Sequence, residues 1–358
     1  MRKATLLKTL LLLCTLIVWG RAWADTYVKV TRASELVEGD VYIIATSTAI
    51  ATAFSTTDKG LTMIKTGFTE SSGIITTTTA SPMEFVLDVT EDRKCTFKNG
   101  TKYLGYANAT IKSYLRFEEK TNSDLQEQWT IVDNATYGFV IKSAHTPGRF
   151  IGASTNVFRA YNTMSANTPA NLYKKCLTEE ISSAGWRTYA PAYPVRFREG
   201  IKAYIVSAEE NDTEATLTQV TSVPANTPVL LNGEAGTHTM DVVTGATSDV
   251  SGNCLHVSNG TNPDGDMYVL ANVDNKLAFY LWDKTEGGSL PAEKIYLQLN
   301  NSPSARPFIA LPGEKTGIDD VKREAAITNN RYYDLQGRHV PLPTKGLYIV
   351  NGRKVMIK

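Results

Sequence analysis

Aromatic, amide and arginine side chains occur together at two places in the first half of the chain. Arg159, Tyr161 and Asn162 fall within four residues, and Tyr106 and Asn108 occupy the corresponding place one repeat earlier. Aromatic faces stack on the apolar faces of sugar rings, while amide and guanidinium groups hydrogen-bond to sugar hydroxyls. The five residues are therefore candidate carbohydrate-binding residues on surface turns, and ordinary packing at the rim of a barrel is the alternative explanation.

Residue types that perform catalysis form no recognisable motif in this chain. The sequence contains no G-x-S-x-G, H-E-x-x-H, P-loop or G-x-G-x-x-G pattern, and its four histidines are scattered among turn-like stretches. Adjacent acidic pairs such as Glu209-Glu210 lie in polar stretches, whereas glycosidase carboxyls must face each other across a cleft. We therefore expect a protein that is not an enzyme and needs no cofactor. A hydrolase with a site between two domains is the alternative.

The acidic segment from Asn262 to Asp266 has oxygen donors that could bind calcium. An EF-hand loop, however, needs Gly at its sixth position and Glu at its twelfth. Counting from Asn262, Gly265 is fourth and Val273 is twelfth. The segment is better explained as a hairpin turn before a strand, so no metal site is predicted.

Short runs of strand-forming residues, bounded by Gly, Asn, Asp and Pro, recur along the chain and indicate an all-β protein. A repeat of aromatic-x-aliphatic runs places Phe85 and Trp129 44 residues apart. A degenerate copy begins at Val41, and Asn171–Lys174 would supply a closing strand. Three units of about 45 residues resemble a β-trefoil or a related small barrel, in which neighbouring hairpins complete one core. We assign this domain to residues 27–178.

The rest of the chain divides into three further parts. The polar segment Leu177–Ala184 is a predicted linker, and the strand-rich residues 185–312 fit a β-sandwich. Residues 313–330 are polar and are expected to be a second linker. Residues 331–358 form a short β segment, in which Asn351-Gly352 between two alternating runs predicts a hairpin.

The first 24 residues predict export from the cytoplasm. Arg2, Lys3 and Lys8 precede the apolar run Thr9–Gly20, and Ala22-Trp23-Ala24 fits a signal-peptidase site. No later apolar run is long enough to span a membrane. The expected location is extracellular or on the outer cell surface, with the periplasm as the alternative.

Charge and cysteine content limit the partners of the predicted mature chain. Removing residues 1–24 leaves 33 basic and 36 acidic residues, so no positive excess exists to bind a nucleic acid. The mature chain contains Cys95, Cys176 and Cys254, which fit small core residues. If any pair forms a disulfide, Cys95 and Cys176 are favoured because both fall in the first predicted domain.

The C-terminal segment resembles the sorting signal of type IX secretion cargo in Gram-negative bacteria. The resemblance lies in Tyr333–Arg338, Val340, Gly346–Ile349 and Lys354–Lys358, about 30 residues in all. It implies passage across the outer membrane, with the secretion machinery as a partner. Residues 27–312 also resemble β modules of exported surface proteins of such bacteria. A hairpin packed on the edge of the sandwich is the alternative for the tail.

These patterns together predict an exported cell-surface binding or adhesion protein that is not catalytic. Its partner would be a surface glycan or a protein, held by loops of the first domain on a rigid β scaffold. The Q-x-W motif of ricin-type trefoil lectins is absent at Glu127-Gln128-Trp129, so Trp129 is expected in the core. Two alternatives stay open. One is a trefoil protease inhibitor acting through a protruding loop at Thr66–Ser72, and the other is a secreted hydrolase.

Overall fold

The computed structural model describes residues 24–89, 94–107, 113–119, 127–134, 138–145, 148–164, 167–208, 213–299 and 306–312, together with the backbone of four short strands between 332 and 357. The predicted all-β class is confirmed. The helical elements given for these residues are short: a 3-10 turn at Ala33–Glu35 and one α-helical turn at Lys284–Gly287. No helix in the described part of the chain is long and apolar enough to cross a membrane.

The first part of the chain contains strands β1 (Thr26–Lys29), β2 (Val41–Thr46), β3 (Ala49–Ser55), β4 (Gly60–Ile64), β5 (Phe68–Ser71), β6 (Ile74–Thr77), β7 (Glu84–Val89), β8 (Lys94–Asn99), β9 (Lys102–Tyr106), β10 (Leu115–Glu119), β11 (Trp129–Asn134), β12 (Gly138–Ser143), β13 (Phe150–Ala153), β14 (Val157–Tyr161), β15 (Thr168–Pro169) and β16 (Asn171–Ile181).

Six of these strands form a barrel, which three hairpins cap. Antiparallel pairing joins β16 to β2, β2 to β7, β7 to β8, β8 to β11 and β11 to β12, and β12 lies beside β16. The capping hairpins are β3–β4, β9–β10 and β13–β14. Six barrel strands with three hairpin caps are the β-trefoil architecture that the repeat predicts.

The strand order also explains why one copy of the repeat is degenerate in the sequence. Two copies are continuous, β7–β8–β9 and β11–β12–β13, but the third consists of β16 followed in space by β2 and β3. Phe85, Trp129 and Leu172 occupy equivalent places in the first strands of the three copies, and all three are fully buried. The copy that begins at Val41 lacks its first strand because that strand lies at the other end of the domain.

Trp129 lies at the centre of the barrel core, as predicted. Its ring packs 6.5 Å from Phe97, which in turn contacts Phe85 edge-on at 6.0 Å. The indole Nε1 donates to the carbonyl of Leu104 at 2.8 Å, so the buried polar atom is satisfied. Truncating such a residue to alanine costs about 3–5 kcal/mol.

A second apolar cluster lies between the barrel and the β5–β6 hairpin. Tyr27, Ile43, Ile75 and Tyr173 form its core, and Phe68 packs against it. The prediction of a protruding loop at Thr66–Ser72 is therefore wrong, because Phe68–Ser71 is strand β5 and pairs along its length with β6. The segment is therefore one arm of a hairpin and not a free loop.

The second part of the chain contains strands β17 (Trp186–Tyr189), β18 (Val195–Phe197), β19 (Ile201–Ser207), β20 (Thr216–Val220), β21 (Ser222–Val223), β22 (Val229–Gly233), β23 (Gly236–Val242), β24 (Leu255–Val257), β25 (Asp266–Val273), β26 (Lys276–Leu281), β27 (Ile295–Leu299) and β28 (Phe308–Ala310).

These strands form three stacked sheets, one more layer than a simple sandwich. The end of β16 pairs with β23, which continues through β18 to β21. The middle sheet is β17–β22–β19–β20, and the outer one is β24–β27–β25–β26–β28. Side chains of the middle sheet alternate between the two apolar layers: Leu231 and Ile205 pack on one side, and Leu230 and Val206 on the other.

The predicted linker Leu177–Ala184 is wrong for its first five residues. Leu177–Ile181 belongs to β16, which runs without interruption from the trefoil into the next sheet. Leu177 and Ile181 are buried there, whereas Thr178 and Glu180 are exposed. The exposed side chains make the segment look polar in the sequence, although its backbone is fully paired.

The C-terminal segment forms a small separate sheet. It contains β29 (Tyr332–Tyr333), β30 (His339–Val340), β31 (Gly346–Val350) and β32 (Arg353–Ile357), in the order β30–β29–β31–β32. Val350 pairs with Arg353 and β31 runs antiparallel to β32, which confirms the predicted pairing of these two runs, while Asn351-Gly352 lies outside the described residues. The predicted linker 313–330 lies outside the described residues, and the remaining domain bounds stay predictions.

Candidate ligand-binding surface

Three of the predicted binding residues lie on one surface of the trefoil. Along β14 the side chains of Phe158 and Ala160 are buried in the core, while those of Arg159 and Tyr161 are partly exposed. Residues two apart in a strand point to the same side, so Arg159 and Tyr161 are neighbours on the outer face. Asn162 follows directly and is exposed.

The two candidates from the preceding repeat are not part of this surface as described. Tyr106 is 1% exposed, with the guanidinium of Arg149 5.7 Å from its ring centre and the His145 ring at 6.3 Å. Because these side chains cover it, Tyr106 has no free ring face on which a sugar could stack. Asn108 lies outside the described residues.

Pairing between two hairpins brings Asp58 to Arg159, although about a hundred residues separate them in the sequence. Phe158 of β14 pairs with Leu61 of β4. Gly60 permits this approach, since a Cβ there would lie 2.5 Å from the Phe158 carbonyl oxygen and 2.9 Å from Arg159 Cγ. Asp58 Oδ1 is then 3.9 Å from Arg159 Nη2.

The third hairpin meets the other two at the same place. The amide of Leu115 donates to the carbonyl of Lys59 at 2.9 Å, and the amide of Ala160 donates to that of Ser113 at 3.1 Å. The ammonium group of Lys59 lies 5.1 Å from the ring centre of Tyr114. We call this region the hairpin-junction surface and define it as Asp58, Lys59, Tyr114, Arg159, Tyr161 and Asn162.

The sequence analysis missed Asp58, Lys59 and Tyr114. A usable signal exists, since Lys59 directly precedes the return strand of the first hairpin and Tyr114 that of the second. Arg159 lies in the return strand of the third hairpin. Arg159 is not the symmetry equivalent of Lys59 and Tyr114, so the repeat marks the region in which the three hairpins meet and not three matching positions.

The side chains of this surface are held in place but retain free hydrogen-bonding capacity. Tyr161 packs against the ring of Phe150 at 6.4 Å, which fixes one side of its ring. Asp58 Oδ2 accepts a hydrogen bond from Ser55 Oγ at 2.8 Å. Arg159 Nε is buried and has no hydrogen-bond partner within the described part of the protein, while the side chain as a whole is 30% exposed. A fixed aromatic ring beside a partly exposed guanidinium can hold a ligand that combines an apolar face with hydroxyl or carboxylate oxygens.

A buried ion network joins the trefoil to the following sheets. Lys174 Nζ lies 2.7 Å from Asp40 Oδ2 and 3.4 Å from Asp241 Oδ2. Arg196 Nη2 contacts the same two carboxylate oxygens at 2.7 and 3.1 Å. Arg198 Nε donates to Asp241 Oδ1 at 2.7 Å. Three cations thus share two carboxylates across the junction of the two domains.

This network has the wrong properties for the hydrolase alternative. Asp40 is fully buried and therefore out of reach of a substrate. Burial by itself would raise the pKa of Asp241. The hydrogen bond from Arg198 and the charges of Lys174, Arg198 and Arg196 have the opposite and larger effect, so the pKa lies below its ordinary value. A general acid needs a raised pKa. The two carboxylates therefore connect the domains and do not form an acid–base pair.

The segment Asn262–Asp266, predicted to be a hairpin turn rather than a calcium loop, is a turn held by a lysine. Lys284 Nζ donates to the carbonyls of Pro263 and Gly265, each at 2.7 Å. Asn262 Oδ1 accepts from the amide of Leu290 at 3.1 Å. The turn is not a hairpin, because the strands that it joins, β24 and β25, both pair with β27. Among the described residues, no three His, Cys, Asp or Glu side chains cluster as a metal site would require.

The favoured disulfide between Cys95 and Cys176 is absent. Both thiols are free and buried, and Cys254 is free and half-exposed. Cys95 lies in β8 opposite Trp129, whereas Cys176 lies in β16 opposite Asp241. Membership of the same domain was therefore not a sufficient reason to expect a bond.

Comparison with known proteins yields weak structural neighbours. No protein-family model matches the chain, and no curated protein matches its sequence. A lectin of Polyporus squamosus, solved with a human-type influenza-binding epitope, is 19% identical with a TM-score of 0.30, and the match covers 40% of this chain and 51% of the lectin. A mosquitocidal holotoxin is 9% identical with a TM-score of 0.30, covering 76% of this chain and 34% of the toxin. The fold assignment accordingly rests on the strand pairing described above.

Proposed function

We propose that the protein is an exported cell-surface binding protein that holds carbohydrate at the hairpin-junction surface. The observation that carries the proposal is the placement of Arg159 and Tyr161 on one outer face, beside Asp58 of a second hairpin. The surface is built where three hairpins hydrogen-bond to one another, so its side chains stand on a rigid support.

The side chains match the two kinds of surface that a sugar presents. The Tyr161 ring offers a face for the C–H side of a pyranose, while Arg159 and Asn162 supply donors for its hydroxyls. Such shallow sites need a preorganised support, because immobilising free side chains on binding costs about 0.5–1.5 kcal/mol each. The packing of Tyr161 on Phe150 provides that preorganisation.

A binding assay on a glycan array tests the function. Purified protein comprising residues 25–358 is expected to bind a subset of glycans, and Tyr161→Ala to lose about tenfold in affinity because its stacking surface is removed. Tyr103→Ala is the matched control, since this partly exposed tyrosine lies in β9 outside the surface. Absence of binding to every glycan, or equal losses in the two variants, would overturn the proposal.

Export rests on the N-terminal pattern and on the resemblance of the tail to a sorting signal. Strand β1 begins at Thr26, so all the strands described above lie within the predicted mature chain. Fractionation of the native cells, with mass spectrometry of both chain ends, is expected to find Asp25 as the first residue of a surface-exposed form. Loss of residues 331–358 from that form would support a sorting role for the tail, and a cytoplasmic pool retaining Met1 would refute export.

A further inference from the structure

The hairpin-junction surface carries a net positive charge, although the net charge of the predicted mature chain is negative. Lys59 and Arg159 outnumber Asp58, which gives the surface a net charge of +1. The predicted mature chain as a whole has 33 basic and 36 acidic residues, a net charge of −3. The local excess is therefore a property of this site and not of the composition.

The two cations of the surface are poorly neutralised. Among the described residues, Arg159 forms one ion pair, with Asp58 at 3.9 Å, and that carboxylate is half-exposed and already accepts a hydrogen bond from Ser55. Lys59 lies against the Tyr114 ring and has no ion pair within the described residues. Exposed contacts of this kind are weak. An incoming anion could therefore replace them at a small cost in free energy.

We infer that the surface selects acidic saccharides, those bearing a carboxylate, over neutral ones. This inference rests on the proposed function and adds the ligand class. The guanidinium of Arg159 has the planar fork that matches a carboxylate in bidentate geometry, and its side chain is 30% exposed. Lys59 adds a second positive charge to the same surface, and the Tyr161 ring holds the pyranose that carries the carboxylate.

Binding to uronic-acid oligosaccharides and to their carboxyl-reduced counterparts tests the inference, because the members of each pair differ only in the acid group. The acidic member is expected to bind at least tenfold more tightly in 0.1 M salt. The preference should shrink in 1 M salt, where the Debye length falls from about 10 Å to about 3 Å. Equal binding of the two members, lost in Tyr161→Ala, would overturn the inference while the proposed function stands. Absence of any saccharide binding would refute both.

Substitutions that change one charge at a time test whether the preference for acidic saccharides arises at this surface. Arg159→Gln and Lys59→Gln should each weaken binding of the acidic member about fivefold more than binding of the neutral member, whereas Asp58→Asn should strengthen acidic binding about two- to fivefold. Arg159→Lys should recover part of the loss. Lys202→Gln is the control, since it removes an exposed charge from β19 in the next domain. A loss in the control equal to that in Arg159→Gln would show a general charge effect and refute selection at this site.

Discussion

Replacing Asp40 by asparagine tests whether the buried ion network holds the two domains together. Asp40 is fully buried and accepts Lys174 and Arg196, each at 2.7 Å. The substitution keeps the shape of the side chain and removes one of two negative charges shared by three cations. The net charge of the network rises from +1 to +2, next to the buried side chain of Lys174.

The expected loss in the free energy of unfolding is about 3–5 kcal/mol, the range for breaking one partner of a buried pair. Lys174 accounts for most of this loss in stability. Its side chain is 7% exposed, and the ion pair that it keeps in the variant is the one with Asp241, at 3.4 Å. Arg196 can recover some solvation, since its side chain is 32% exposed. We expect urea denaturation, followed by tryptophan fluorescence, to show the loss as a lower transition midpoint.

A matched control and a double variant separate this effect from a general one. Glu179→Gln makes the same chemical change in an ion pair with Arg187, whose side chain is 50% exposed, and should cost at most about 1 kcal/mol. The double variant Asp40→Asn with Lys174→Met removes the stranded cation and should recover part of the loss. Equal effects of Asp40→Asn and Glu179→Gln, or no recovery in the double variant, would refute the account.

Two further predictions concern pH and thiol reactivity. Because the pKa of Asp241 is lower in the folded protein than in the unfolded chain, its stabilising effect is present above pH about 3.8 and is lost as the pH falls through the folded value. The stability difference between the parent and Asp241→Asn should therefore shrink on acidification, and a constant difference down to pH 2 would contradict this. Burial raises the pKa of Cys95 to about 12, and chiefly burial raises that of Cys176 to about 12. A thiol reagent at pH 8 should accordingly modify only Cys254 in the native mature protein and three thiols after denaturation, whereas fast modification of three thiols in the native state would show that the core is open.

Part of the candidate site follows from sequence alone. Arg159 and Tyr161 are two residues apart in a strand-forming run, which puts them on one face whatever the rest of the fold does. Their neighbour Asp58 could not be predicted in this way, since it reaches Arg159 only through the pairing of β4 with β14. Tyr106 fails as a candidate for the converse reason: its local pattern resembles a surface turn, but Arg149 from the following repeat covers its ring.

The sequence by itself determined what depends on near neighbours along the chain. Alternating side chains specified the strands, the aromatic-x-aliphatic repeat specified a trefoil, and the two alternating runs around Asn351-Gly352 specified the pairing of β31 with β32. Only the tertiary structure decided which distant strands pair. It carried β16 from the barrel into the next sheet and placed Lys174 against Asp40. The physical reason is that side-chain alternation is set within a few residues, whereas strand pairing, burial and charge compensation depend on segments that come together only when the whole chain closes on its cores.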